Sequence, residues 1–214
     1  MSDSAPRADD APAVVVEERG RVAVIRLNRP AARNPLSGTT LDELEAAVTA
    51  LAARAELSAL VFTGAGDVFA SGANIRELAA LTPQAAHAFA RRGQRLMQLV
   101  ADAPQLTVAA VNGYCMGGGL DLALACDLRV AAPAAVFAHP GARLGIITGW
   151  GGTQRLPRLV GPARALEIFL TARHVSAQEA HEIGLAHRIG EPVLECAIEL
   201  ARNLSDGLRR TVGG

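Results

Sequence analysis

Lysine is absent from the 214 residues, so all 21 basic side chains are arginines. Without that amine the chain cannot form a lysine Schiff base with a carbonyl or set a P-loop lysine on a phosphate. Cysteine is scarce and odd in number: Cys115, Cys126 and Cys196, with no CxxC pair. This argues against a disulfide framework or a zinc site and points to a reduced, cytoplasmic setting. An excess of either charge is also missing, the formal net charge being zero. That removes the bulk electrostatic case for nucleic acid or an anionic membrane as partner. No apolar run is long enough to span a bilayer. Residues 1–12, rich in Ser, Asp, Ala and Pro, lack the apolar core of a signal peptide and are expected to form a disordered arm.

Half of the residues are hydrophobic, enough for one domain with a sizeable core. Two valine-rich runs, 14–16 and 22–27, flank Arg19-Gly20-Arg21 and predict a β-hairpin, which Asn28-Arg29-Pro30 ends. Leu41, Leu44, Val48 and Leu51 recur at helical spacing within 39–54. Strands are expected at 58–63, 106–111, 127–131 and 135–137. Helices are expected at 83–100, 120–125, 151–159, 162–170, 177–183 and 192–203. Strand and helix alternate, so the class is α/β.

Two glycine-rich stretches about forty residues apart carry most of the functional signal. One is Phe69-Ala70-Ser71-Gly72-Ala73-Asn74-Ile75-Arg76, the other Asn112-Gly113-Tyr114-Cys115-Met116-Gly117-Gly118-Gly119-Leu120-Asp121. Each follows a strand-like run and leads into a helical pattern. Such loops present free backbone N–H groups, and two that converge can hold a developing oxyanion. The expected chemistry is that of a polarised carbonyl.

These stretches resemble the crotonase (enoyl-CoA hydratase/isomerase) superfamily. So do Leu27-Asn28-Arg29-Pro30, Phe137-Ala138-His139-Pro140, Leu144-Gly145-Ile146, Gly151-Gly152-Thr153-Gln154-Arg155-Leu156, Thr171-Ala172-Arg173 and residues 180–185. The ordered set covers about 14–193. The resemblance implies a spiral of repeated ββα units over 13–190, with a shortened helical region, a short helix and tail, at 191–214. It implies a homotrimer or hexamer and an acyl-CoA thioester as substrate, with no further cofactor. It places the two oxyanion donors at Ala73 and Gly118 and a catalytic carboxylate at Asp121. The alternative for Asp121 is a helix N-terminal charge.

The resemblance further implies substrate contacts at Ala31, Arg33, Ser71, Asn74, Ile75, Arg76, Tyr114, Gly117, Pro140, Gly141, Leu144 and Gly149. For Arg33 and Arg76, contact with CoA phosphates and a solvated surface charge stand side by side. The chain departs from the family's pattern at Gly141, where a second glutamate is usual, and at Asn74, where an aspartate is usual. A hydratase-type lyase with one carboxylate is therefore the leading expectation. The alternatives are a CoA-thioester isomerase, decarboxylase or hydrolase, or a non-catalytic acyl-CoA binder. His139 is read as a loop histidine with its hydrogen bonds satisfied, proton transfer in place of the missing glutamate being the alternative. Trp150 is read as a packing residue near the pocket wall, Cys115 and Cys126 as small buried hydrophobes, and the other histidines as structural, without metal-ligand spacing.

Overall fold

The computed structural model describes residues 11–212, with side chains described as far as Ser205. Most of the arm expected at 1–12 lies outside the described residues. The hairpin forms as expected, β1 (Val14–Arg19) antiparallel to β2 (Val22–Leu27). Asn28 then ties the chain back, its backbone N–H donating to Ala13 O at 2.7 Å. A two-residue strand β3 (Pro35–Leu36) leads to α1 (Gly38–Ala52), whose buried face is Thr40, Leu41, Leu44, Val48 and Leu51. Ser37 caps it by accepting from the Thr40 N–H.

The middle of the chain is built from strand pairs that turn a corner. β4 (Ala59–Gly64) is followed by β5 (Val68–Ala70), β6 (Gly72–Ala73), α2 (Ile75–Ala79) and α3 (Pro83–Ala101). β7 (Leu106–Val111) is followed by β8 (Tyr114–Met116) and α4 (Gly118–Ala125). β9 (Leu128–Ala131) is followed by β10 (Val136–Ala138) and α5 (Gly152–Val160). The rest is α6 (Pro162–Thr171), β11 (Val175–Ser176), α7 (Ala177–Glu182), β12 (Arg188–Ile189) and α8 (Val193–Val212).

The first strand of each pair joins one sheet, ordered β1-β2-β4-β7-β9-β12, and the second joins another, ordered β11-β10-β8-β5. β3 and β6 form a separate parallel pair. From β2 to β12 the large sheet is parallel, and its central strand β4 is buried at every residue, as a sheet covered on both faces requires. Repetition of strand, strand and helix matches the ββα units that the family resemblance implies.

The corners have specific chemistry. At the β7–β8 corner Asn112 Oδ1 accepts from the Gly64 N–H at 3.0 Å, and its Nδ2 donates to Gly66 O at 2.8 Å. A Cβ on the neighbouring Gly113 would stand 1.8 Å from Asp67 O, so only glycine fits. At the β4–β5 corner the buried Asn34 donates through Nδ2 to Ala65 O at 2.9 Å and Val68 O at 2.6 Å.

Helix α4 is buried around its whole circumference from Gly119 to Ala125, the pattern of a core helix. Arg129, itself 1% exposed, serves the carbonyls at its far end. Its Nη1 donates to Cys126 O at 2.8 Å and Ala123 O at 3.2 Å, and its Nε to Leu185 O at 2.7 Å. A cation at a helix C-terminus also complements the dipole. Helix α8 packs on β4, β7 and β9, and its Val193, Ala197, Ile198 and Ala201 join the main hydrophobic cluster. It runs past the 192–203 span read from the sequence, through Gly207, which propensity alone would take as a stop.

Cys115 and Cys126 are buried and unpaired. Burial raises both thiols, Cys126 to about 12, so neither supplies a thiolate nucleophile near neutral pH. With Ellman's reagent we expect Cys196 alone to react in the native protein, and the other two only after unfolding. Rapid native reaction of all three would contradict this burial.

Candidate active site

The two glycine-rich stretches meet at the head of α4. Chain entering from β5 passes Ser71, pairs β6 with β3, and turns into α2 at Asn74, whose side-chain oxygen accepts from the Arg76 N–H at 3.0 Å. Asn74 Nδ2 donates to Glu77 Oε1 at 3.1 Å. Thus the amide supports the loop by hydrogen bonds, accepting from the Arg76 N–H as a carboxylate could and donating to Glu77 as a carboxylate could not.

Chain leaving β8 passes Gly117 at φ +52 and enters α4 at Gly118. A Cβ built on Gly72 would lie 3.1 Å from the Gly118 nitrogen and 2.8 Å from Met116 O. The backbone of β6 therefore rests directly on the start of α4. Gly118, as the first residue of that helix, belongs to the turn whose N–H groups have no partner within the helix.

The juncture opens into a cavity of about 250 Å³. Of the residues singled out in the sequence, Ser71, Ala73, Ile75, Gly117, Gly118, Asp121, Pro140, Gly141, Leu144 and Gly149 lie on its wall. Ala31, Arg33, Asn74, Arg76 and Tyr114 do not. Ala31 sits in the 3₁₀ turn Pro30–Ala32. The Arg33 guanidinium lies over the half-exposed Tyr114 ring, 4.9 Å from its centroid. Arg76 is exposed.

The rest of the wall is apolar, with Leu78, Leu81, Phe89, Ile146 and Ile147 among its members. Trp150 forms one side of it, buried against Phe89 with ring centroids 5.3 Å apart. A Cβ on Gly118 would stand 2.5 Å from the Trp150 ring, and one on Gly93 of α3 only 2.2 Å from its Nε1. The indole is thus wedged between α3 and the head of α4, which confirms its packing role and makes it part of the wall.

Asp121 is the single acidic side chain on this wall, and it is 2% exposed. Its Oδ2 accepts a hydrogen bond from the Thr148 hydroxyl. Its Oδ1 faces His139 Nε2 at 3.3 Å. His139 is 3% exposed, and neither Oδ1 nor Nε2 has a hydrogen-bond partner. The expectation of a satisfied loop histidine is therefore corrected: the ring is buried against the carboxylate, with Phe169 of α6 packed at 5.1 Å between centroids. Gly152, the first residue of α5, closes the back, since a Cβ there would stand 2.3 Å from Asp121 Oδ1. The positive end of the α5 dipole thus lies against the carboxylate.

Gly141 has a structural reason to be glycine. The Ile146 N–H donates to its carbonyl at 3.0 Å, closing a tight turn. A Cβ on Gly141 would approach Ile146 O to 2.6 Å, so a glutamate does not fit there without a backbone shift. Thr148 gave no signal in the sequence, standing in a run of Gly, Ile and Thr without a motif of its own. His139 was visible, but its contact with Asp121 depends on a fold that brings 121 and 139 together.

Comparison with known proteins agrees with this geometry. A family model described as enoyl-CoA hydratase/isomerase matches residues 17–212. The chain is 42% identical over 180 residues to a crotonyl-CoA hydratase of Syntrophomonas wolfei, covering 84% of this chain and 69% of that protein. It is 37% identical over 194 residues to a short-chain-enoyl-CoA hydratase of Clostridium acetobutylicum, covering 89% and 74%. Among solved structures, an enoyl-CoA hydratase from Bacillus anthracis superposes with a TM-score of 0.87 at 38% identity, covering 90% of this chain and 76% of that one.

Proposed function

The chain belongs to the enoyl-CoA hydratase/isomerase family, and we propose that it adds water across the conjugated double bond of a 2-enoyl-CoA thioester with Asp121 as its one carboxylate. The observation that carries this reading is the placement of Asp121, buried and oriented by Thr148, on the wall that also holds Ala73 and Gly118. In the proposed arrangement the thioester oxygen accepts from the Ala73 and Gly118 N–H groups. As the water oxygen bonds to C3, the double-bond electrons move toward the thioester oxygen to form an enolate, and Asp121 takes the proton from the water. Donors already in place need no reorganisation when charge develops, which is why such pairs are effective. The apolar wall and its exposed rim of Ile75, Leu144 and Ile147 suit an acyl chain.

Arg33 and Arg76 are proposed to meet the CoA phosphates outside the cavity. We also propose a homotrimer or hexamer, to be checked by light scattering, and a cytoplasmic location, supported by the three unpaired cysteines. No described helix is long and apolar enough to cross a membrane. Coenzyme A enters as part of the substrate, and no separate cofactor is proposed.

The test is absorbance of the conjugated thioester of 2-butenoyl-CoA in the presence of purified protein. We expect a protein-dependent loss at the rate of an enzyme. Binding of the thioester without any loss would favour the alternative of an acyl-CoA binder.

A further inference from the structure

We propose that His139 is the positioning partner of Asp121, holding the carboxylate through Oδ1 so that a single acid–base group serves where a second carboxylate is missing. The inference rests on the hydratase reading above and adds a residue to it. Its basis is a pair of buried polar atoms that face each other and have no hydrogen-bond partner. Asp121 and His139 are 2% and 3% exposed, and Oδ1 and Nε2 stand 3.3 Å apart. A buried carboxylate oxygen without a donor is costly. An imidazole with its proton on Nε2 is the group in place to supply that donor. Among the described residues, Asp121 is the one ionisable side chain within ion-pair distance of the ring. α6 faces the ring with Phe169, and α5 with Gly152.

The pair is held from several directions. Asp121 lies in the first turn of α4, and His139 directly precedes the 3₁₀ turn Pro140–Leu144. Gly152 leaves no room behind them, a Cβ there falling 2.3 Å from Oδ1 and 3.0 Å from Nε2. Thr148 engages the other oxygen, Oδ2, so each carboxylate oxygen has its own orienting neighbour. The order of contacts excludes a nucleophilic triad. There the hydroxyl bonds to the imidazole and the imidazole to the carboxylate, whereas the Thr148 hydroxyl bonds directly to the carboxylate, on the oxygen away from His139.

Proton and electron bookkeeping closes with His139 outside the bond changes. Water oxygen bonds to C3 and its proton goes to Asp121. The C2=C3 electron pair moves to the thioester oxygen, and the enolate collapses with return of that proton to C2. His139 stays beside Oδ1 throughout. The orientation of Asp121 then depends on the ring.

The test compares the purified full chain with His139→Leu, His139→Gln and Asp121→Asn, using 2-butenoyl-CoA. His139→Leu is expected to lower kcat about 10–100-fold, the usual loss when an orienting partner is removed, with little change in KM. Glutamine can donate an amide N–H toward Oδ1, so His139→Gln should recover most of kcat while its pH profile differs from wild type. Wild-type kcat and pH profile in His139→Leu would overturn the proposal. If the His139 variants do not fold, imidazole NMR spectra of the wild type and Asp121→Asn at one fixed pH decide. The ring resonances of one of the five histidines should move on loss of the adjacent carboxylate. Five unmoved sets of ring resonances would overturn the pairing. A wild type that leaves 2-butenoyl-CoA unchanged would instead defeat the hydratase reading, and the NMR comparison would still report on the pair.

Discussion

Asp121→Asn is expected to lower kcat by about 10²–10⁴, the contribution of a positioned acid–base group, while leaving the fold and thioester affinity close to those of the wild type. In free energy this is about 2.7–5.4 kcal/mol of barrier. The substitution is nearly isosteric, so the cavity behind Gly152 stays filled. The amide oxygen can still accept from the Thr148 hydroxyl. What is lost is the capacity to take a proton from water, and no other acidic side chain lines the cavity to replace it. A fall in kcat with KM nearly constant would mark an interaction made in the transition state alone. Thermal unfolding and thioester titration are the controls, and an unchanged kcat would remove Asp121 from the mechanism.

Gly118→Ala is the second large effect, and it acts through the backbone. A Cβ at 118 would lie 2.5 Å from the Trp150 ring, far inside van der Waals contact. Trp150 has little space to yield, being 4% exposed and packed on Phe89 and Gly93. The head of α4 must therefore shift, carrying with it the N–H assigned to the oxyanion. Loss of one such donor typically costs about 10²–10³ in kcat, or about 2.7–4 kcal/mol. Overpacking of this kind adds a stability cost of about 1–3 kcal/mol. The double variant Gly118→Ala/Trp150→Leu should regain both stability and kcat in part, because the clashing ring is gone. Wild-type kcat in Gly118→Ala would show that the Gly118 N–H is not a donor to the reacting oxygen.

The sequence was most legible where periodicity and glycine agree. The apolar spacing of Leu41, Leu44, Val48 and Leu51 reads directly as the buried face of α1. The all-apolar stretch around 120–125 reads as a core helix because nothing in it asks for solvent. The glycine-rich loops marked the site, but they concealed strands: β8 (Tyr114–Met116) and β5 (Val68–Ala70) are short, and their pairing is set by the second sheet rather than by local propensity.

Strands of two residues, such as β6 and β12, have no local signature at all. The buried Arg129 was invisible for the same kind of reason, since an arginine reads as surface until the carbonyls it serves are brought together. The relation among Asp121, His139 and Thr148 is likewise tertiary, with 27 positions separating Asp121 from Thr148. The absent glutamate was legible at once at Gly141. Its physical reason, the Ile146 carbonyl 2.6 Å from where a Cβ would stand, was not.

The most direct measurement is product analysis by mass spectrometry after incubation of 2-butenoyl-CoA with the protein in water enriched in oxygen-18. Hydration predicts a product still carrying CoA, heavier by one labelled water, with the label on C3. Label recovered only in a released carboxylic acid, or an isomer of unchanged mass, would contradict hydration and reassign the reaction.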